Sequence, residues 1–290
     1  MIKSIFSPMT ASTSTSSATA VAVKLAKILN GQLSVCFMRP DPRSSVPYIG
    51  DGLTADVVQT ICDATEKEGE LAAREAADHV EKLSEELAVC YVYEADQVEE
   101  ITVPSISMEV VEGFLKEKVG RMARVADLAV VSQPNDANAP DGEDMLHELI
   151  FGSGRPLMMV PEGDFKMTGT NVMIAWNGRA ESARAVAAAL PLLHQADKIY
   201  AATIGDEGPD RPGLDELEIY LKIHGLEMEA VRVGRTSDSI GKTLLETAIK
   251  HDADMLVSGA YSHSRWREKI LGGVTKYLVN HAGIPIFLSH

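Results

Sequence analysis

The residues best suited by type and spacing to do chemistry lie near the C-terminus. Positions 258–275 read Ser-Gly-Ala-Tyr-Ser-His-Ser-Arg-Trp-Arg-Glu-Lys-Ile-Leu-Gly-Gly-Val-Thr. Gly259 ends an apolar run, and Gly272 and Gly273 open a helical pattern whose first turn holds Val274 and Thr275. The chemistry this suits is phosphate binding. A helix N-terminus offers unpaired N–H groups and a partial positive charge, and glycine lets the backbone approach an oxygen closely. Thr275 adds a hydroxyl, and Arg265, Arg267 and Lys269 are opposed only by Glu268. The same glycines also suit a strand-to-helix loop that needs them only for its backbone angles, and spacing alone leaves both readings open. His263 is read either as a phosphate contact or as a solvated loop residue.

Other chemistries have less to stand on. The eight histidines show no His-Glu-x-x-His spacing, and no Gly-x-Ser-x-Gly turn or Gly-x-x-x-x-Gly-Lys loop is present. No catalytic residue and no metal ligand is assigned, and a non-enzymatic protein is expected. Cys36, Cys62 and Cys90 are odd in number and lack a Cys-x-x-Cys spacing, as expected of reduced thiols in a cytoplasmic protein.

Charge narrows the partners. The 290 residues carry 27 bases and 42 acids, a net of −15, which argues against nucleic acid and against an anionic membrane face. Residues 55–100 hold 14 acids and three bases, so most of the excess sits in one stretch. The remainder is near neutral and leaves room for a small anionic ligand. No apolar run is long enough to span a membrane, and the first residues lack the apolar core of a secretory signal.

The elements that must position the C-terminal loop follow from periodicity and punctuation. In the second half, strands are expected at 171–176, 198–204, 227–233, 255–258 and 285–288. Helices are expected at 181–193, 214–224, from a cap at Ser237 or Asp238 to about 251, and at 272–281. The first half repeats the order, with strands at 1–6, 32–38, 87–93, 128–131 and 157–160. Its helices are placed at 18–29, 55–86, 107–126 and 145–151. Two local echoes support duplication: 126–132 (ADLAVVS) with 253–258 (ADMLVS), and 155–160 (RPLMMV) with 284–288 (IPIFL). The fold class expected is α/β, as two tandem doubly wound parallel-sheet domains, 1–163 and 170–290, joined by a linker at 161–169.

On these residues the second half resembles a universal stress protein domain, a Rossmann-like fold. That family carries Gly, two residues, Gly, nine residues, Gly, then Ser or Thr, between its fourth strand and fourth helix. Gly259 and Gly272 match, whereas Ser262 stands for the second glycine and Gly273 for the hydroxyl residue; Val274 and Thr275 follow. The resemblance also implies an acid near the adenosine just after the first strand, where this chain has Asn177 within Ala175-Trp176-Asn177-Gly178. Asn177 is either a ligand contact or an ordinary Asn-Gly turn, and Trp176 either lines an adenine pocket or belongs to the core.

The resemblance thus implies ATP or AMP as the ligand, held by Ala175, Trp176, Asn177, Gly259, Ser262, Gly272, Gly273, Val274 and Thr275. The first half lacks the glycine framework and is acidic at 133–142, so it is read as degenerate for nucleotide. Its Thr10–Ser17 hydroxyls are either anion contacts or part of a loop leading into a helix. The family's domains pair through their last strands, which points to residues 157–160 and 285–288, within one chain or in a homodimer. A stress-response protein that regulates a protein partner is expected; the alternative is an interaction module of the same fold without nucleotide.

Overall fold

The computed structural model describes residues 1–13, 16–45, 54–92, 103–113, 115–136, 138, 141–163, 169–205, 207–208, 210–234, 239–260 and 273–290. The chain forms two compact units. One comprises Ile2–Val131 and Asp136–Ser153; the other comprises Met1, Ser132–Asn135 and Gly154–His290. They are called the first and second unit below.

The second unit is laid out as the periodicity anticipates. Its order is β6 (Leu157–Val160), β7 (Asn171–Ala175), α5 (Ala180–Leu193), β8 (Lys198–Ile204), α6 (Leu214–Ile223), β9 (Glu229–Val233), α7 (Ile240–Lys250), β10 (Met255–Gly259), α8 (Gly273–His281) and β11 (Ile286–Ser289). The sheet runs β6-β11-β10-β7-β8-β9, parallel except where β6 meets β11. In that antiparallel pair Leu157, Met158 and Met159 lie opposite Leu288, Phe287 and Ile286, the two segments singled out for edge pairing. The central strands read as continuous apolar runs because both faces are covered. Val172, Met173, Ile174, Leu256 and Val257 are fully buried. Gly241 of α7 lies so close to Tyr277 of α8 that a Cβ there would come within 2.8 Å of the Tyr277 Cβ. The cap of α7 is Ser239, whose Oγ accepts from the Lys242 N–H at 3.2 Å. Ser237 and Asp238, expected as caps, lie outside the described residues.

The first unit is β1 (Ser4–Met9), α1 (Ser17–Leu29), β2 (Gln32–Arg39), a short 3-10 turn at Pro42–Ser45, α2 (Ala55–Leu87), β3 (Cys90–Val92), β4 (Ser105–Glu112), α3 (Leu115–Ala123), β5 (Leu128–Ser132) and α4 (Asp141–Gly152). Its strands run β3-β4-β2-β1-β5, all parallel. This corrects the sequence reading at one point: the single helix expected at 107–126 is a strand followed by a nine-residue helix. Ile106, Met108 and Val110 alternate with polar residues at strand spacing, and Gly113 at φ +126° breaks the chain before α3. It is β4, not β3, that lies beside β2, so β3 is an added edge strand. The 33-residue α2 buries only Ala73, Ala76, Val80 and Ser84, which leaves its acids in water.

The sequence echo has a physical basis. Asp127 Oδ2 accepts the N–H groups of Lys3 (2.8 Å) and Ser4 (3.0 Å) at the start of β1. Asp254 does the same for β7, accepting from Thr170 N and Oγ1 (both 3.0 Å) and Asn171 N (3.2 Å). In each unit an Ala-Asp pair before one central strand pins the beginning of its neighbour. Charge-assisted bonds of this kind are the stronger class.

Candidate functional site

In an open parallel sheet, ligands bind beyond the carboxyl ends of the strands, where the strand order reverses. In the second unit that point lies between β7 and β10, which sit side by side with Ala175 opposite Ser258. Several of the residues singled out meet there, and the geometry gives most of them a structural task.

Trp176 follows β7. Its N–H continues the ladder to Ala202 O (2.9 Å), and its own carbonyl accepts from Thr203 Oγ1 (3.0 Å). The indole is 8% exposed and donates from Nε1 to Pro212 O (2.9 Å) and Gly213 O (3.1 Å). It therefore ties the loop before α6 to the end of β7.

Asn177 is exposed, and its Oδ1 accepts from Arg179 N–H (3.0 Å) and Ser182 Oγ (2.9 Å). These contacts hold the entry to α5, where Arg179, the N-cap residue, makes no side-chain cap and Ser182 Oγ also lies 2.8 Å from Arg179 O. Arg211 Nη1 lies 3.3 Å from Asn177 O. Gly178 has φ +66°, and a Cβ there would come within 2.5 Å of Pro212 O, so the turn admits glycine alone.

Gly259 ends β10 against the start of α5. A Cβ there would lie 2.6 Å from Ser182 N and 2.7 Å from Glu181 C. This glycine is thus required by helix-on-strand packing whatever else it does. Beyond it, Ala260 N–H donates to Ser289 O (2.8 Å), and His290 Nδ1 donates to Ala260 O (3.0 Å). Arg184 Nε fixes the last residue through His290 O at 2.9 Å.

Ser262 and Gly272, together with His263, Arg265, Arg267, Glu268 and Lys269, lie outside the described residues. The chain is described again at Gly273, where α8 begins. Gly273 is exposed, and among the described residues no atom comes within 4 Å of where its Cβ would be. Val274 is half-buried, and Thr275 is buried at 5% exposure. The other helices of the unit have N-terminal donors engaged by their own side chains. Asn177 serves α5, and Ser239 serves α7. For α6, Gly213 N donates to Glu216 Oε2 (2.9 Å) and Leu214 N to Glu207 Oε2 (3.2 Å). Glu207 is in turn held by Arg232 Nε at 3.0 Å.

The first unit has different groups at the matching places. Thr10, which follows β1 as Asn177 nearly follows β7, is buried; its N–H donates to Thr13 Oγ1 (2.9 Å), and its hydroxyl lies 2.9 Å from Ser12 Oγ. These hydroxyls bond one another. Helix α4 opens on Asp141, Glu143 and Asp144, a turn earlier than the sequence suggested, and Gly142 N–H donates to Asn138 O at 2.8 Å. Three acids in a first turn suit the helix dipole and oppose a phosphate.

Sequence reasoning passed over Ser182 and Arg211. Nothing local marks Ser182, which is defined by its hydroxyl reaching Asn177, whereas Arg211 sits in a proline-containing loop whose partner strand only the fold supplies. The three cysteines are free thiols. Burial, with the Glu109 charge adding to it, pushes the Cys36 thiol up to about 12. Among the described residues, no group of His, Cys, Asp and Glu is arranged to hold a metal ion, and no helix is long and apolar enough to cross a membrane.

Residues 170–290 match the model of the universal stress protein family. Among solved structures, a universal stress protein from Archaeoglobus fulgidus DSM 4304 is 13% identical with a TM-score of 0.65, covering 99% of this chain and 96% of that one. A putative universal stress protein from Pseudomonas aeruginosa UCBPP-PA14 is 12% identical with a TM-score of 0.53, covering 99% and 93%. A functionally unknown protein from Pseudomonas aeruginosa PAO1 is 11% identical with a TM-score of 0.51, covering 99% and 92%. No curated protein matches the chain. At these identities the whole-chain likeness is one of fold, and the sequence match is carried by the second half. Residues 170–290 thus match the universal stress protein family, and the chain over its full length shares the fold of universal stress protein structures.

Proposed function

We propose that the whole chain acts as a universal stress protein, a non-enzymatic, nucleotide-responsive regulator of the cytoplasm. It takes ATP or AMP in its second unit, at the carboxyl ends of β7 and β10. The phosphates face the N-terminus of α8, with Gly273 and Val274 offering main-chain N–H groups, and the adenosine lies toward Asn177. The observation that carries this reading is the sheet order, which puts the end of β7 beside the end of β10 at the reversal point, followed by α8. Ser262, Gly272 and Thr275 belong to this proposal through their place in the family pattern. Binding shifts a population of conformations and so changes the surface offered to a protein partner. The first unit has no part in nucleotide binding, and pairing of domains or of chains completes the regulatory assembly.

A second reading is favoured by a specific observation. Trp176, Asn177 and Gly259 each have structural tasks that need no ligand, as an interaction module without nucleotide would require.

Mass spectrometry of the purified protein, native and then denatured, separates the two. Release of ATP or AMP supports the first reading. No release, with no shift of Tm on adding ATP, rejects it in favour of the second. Sustained phosphate release above that of a Gly272→Trp control would reject the non-enzymatic assignment.

A further inference from the structure

Three sulfur atoms meet in the first unit. Cys36 and Met38 stand two residues apart on β2 and so share one face of the sheet. The Cys36 Sγ lies 3.4 Å from the Met38 Sδ. From α3 the Met122 Sδ reaches the same thiol at 4.0 Å. Cys36 and Met38 are buried, whereas Met122 is half-buried and is the donor that an ion entering from water meets first.

A thiolate and two thioethers make a soft donor set, the kind that selects Cu(I) over harder divalent ions. Charge selects in the same direction. One thiolate neutralises one positive charge, so a monovalent ion makes a neutral group in the core, and a divalent ion leaves an uncompensated charge there. Glu109 and Lys118, whose charges act on Cys36, are one of each sign and add no net charge. Metal–sulfur bonds of ~2.3 Å place the sulfurs of a three-coordinate ion roughly 4 Å apart. The Cys36–Met122 separation already has that value, and the unbranched Met38 side chain has the freedom to withdraw by the remaining fraction of an ångström.

We propose that Cys36, Met38 and Met122 form a Cu(I) site in the first unit. Binding breaks the S–H bond of Cys36, the proton leaves to water, and the sulfur lone pair so freed is shared with the copper, which stays Cu(I) throughout. The site is independent of the nucleotide reading, which concerns the second unit.

The test titrates Cu(I), anaerobically and against the chelator bicinchoninate, into the full chain carrying Cys62→Ser and Cys90→Ser, which removes the other two cysteines. One Cu(I) per chain is expected, with X-ray absorption showing three sulfur neighbours at ~2.3 Å. Met38→Leu and Met122→Leu conserve packing volume, so Tm is retained. Each is expected to weaken binding by at least about 10-fold, because even groups one step removed from a metal cost that much. Cys36→Ala is expected to abolish binding. A thiol that merely packs among thioethers gives a different result. No Cu(I) held against bicinchoninate, fewer than three sulfur neighbours, or binding that either methionine variant leaves unchanged overturns the proposal.

Discussion

Asp127 and Asp254 stand in matching positions in the two units and do the same work, each drawing the start of a central strand onto its neighbour through two main-chain N–H groups. At the other end of the same strands the units part. Where the second unit has an exposed Asn177 whose amide oxygen accepts from the entry to α5, the first has a buried Thr10 whose hydroxyl is spent on its neighbours. Counting from the two aspartates, Gly259 of the second unit is matched by Ser132 in the first. Helix α8 opens on an exposed glycine, whereas α4 opens on three acids. The amino ends of the strands, which only have to fold, are held alike. The carboxyl ends, where a parallel sheet binds ligands, have diverged.

The largest effect on that contrast is expected from Gly259→Val. A Cβ there meets main-chain atoms of Glu181 and Ser182 that cannot move without displacing α5, so the second unit should lose about 3 kcal/mol in urea titrations. Both tryptophans, Trp176 and Trp266, lie in the second half, so fluorescence follows that unit alone. The aspartates come next. Among the described hydrogen bonds, Asp254→Ala removes three and Asp127→Ala two, for losses of about 2.5 and about 1.5 kcal/mol, each in its own unit. Equal losses would show that the Thr170 hydroxyl adds nothing. Trp176→Phe keeps the buried ring but gives up the indole N–H, at a cost of about 1 kcal/mol and with faster proteolysis at 207–213.

The smallest effect is specific to the first unit and to alkaline pH. The native Cys36 thiol holds its proton to about 12, whereas an unfolded cysteine gives it up near 9.0. Above pH 9.0 the unfolded chain therefore binds fewer protons than the native one, and stability falls as pH rises from there toward 12. Cys36→Ala should flatten that part of the first unit's stability profile and leave the second unit's unchanged.

The second half was readable because its turns are punctuated. Gly178, Gly205 and Gly225 all take positive φ, and each ends or separates an element the periodicity had already marked. The first half misled where punctuation was weak. Residues 105–112 alternate as a strand but run within two residues of a helical pattern at 115–123, and only Gly113 divides them. Register beside β2 then decided the matter, which no local window contains. Site residues were found by type, while their tasks needed the fold. The Trp176 indole bonds carbonyls 36 and 37 residues away, and the Gly259 contact is with a helix that precedes it by more than 60 residues.

The difference between the units is tested most directly by calorimetric titration of ATP into the intact chain and into Gly273→Glu. Gly273 is exposed, and a carboxylate at the first residue of α8 meets a favourable helix dipole, so Tm should be kept, while a phosphate at that N-terminus is repelled. One ATP per chain, lost in Gly273→Glu, is the expected result. Two ATP per chain, or binding that Gly273→Glu leaves intact, would contradict a single site at the N-terminus of α8.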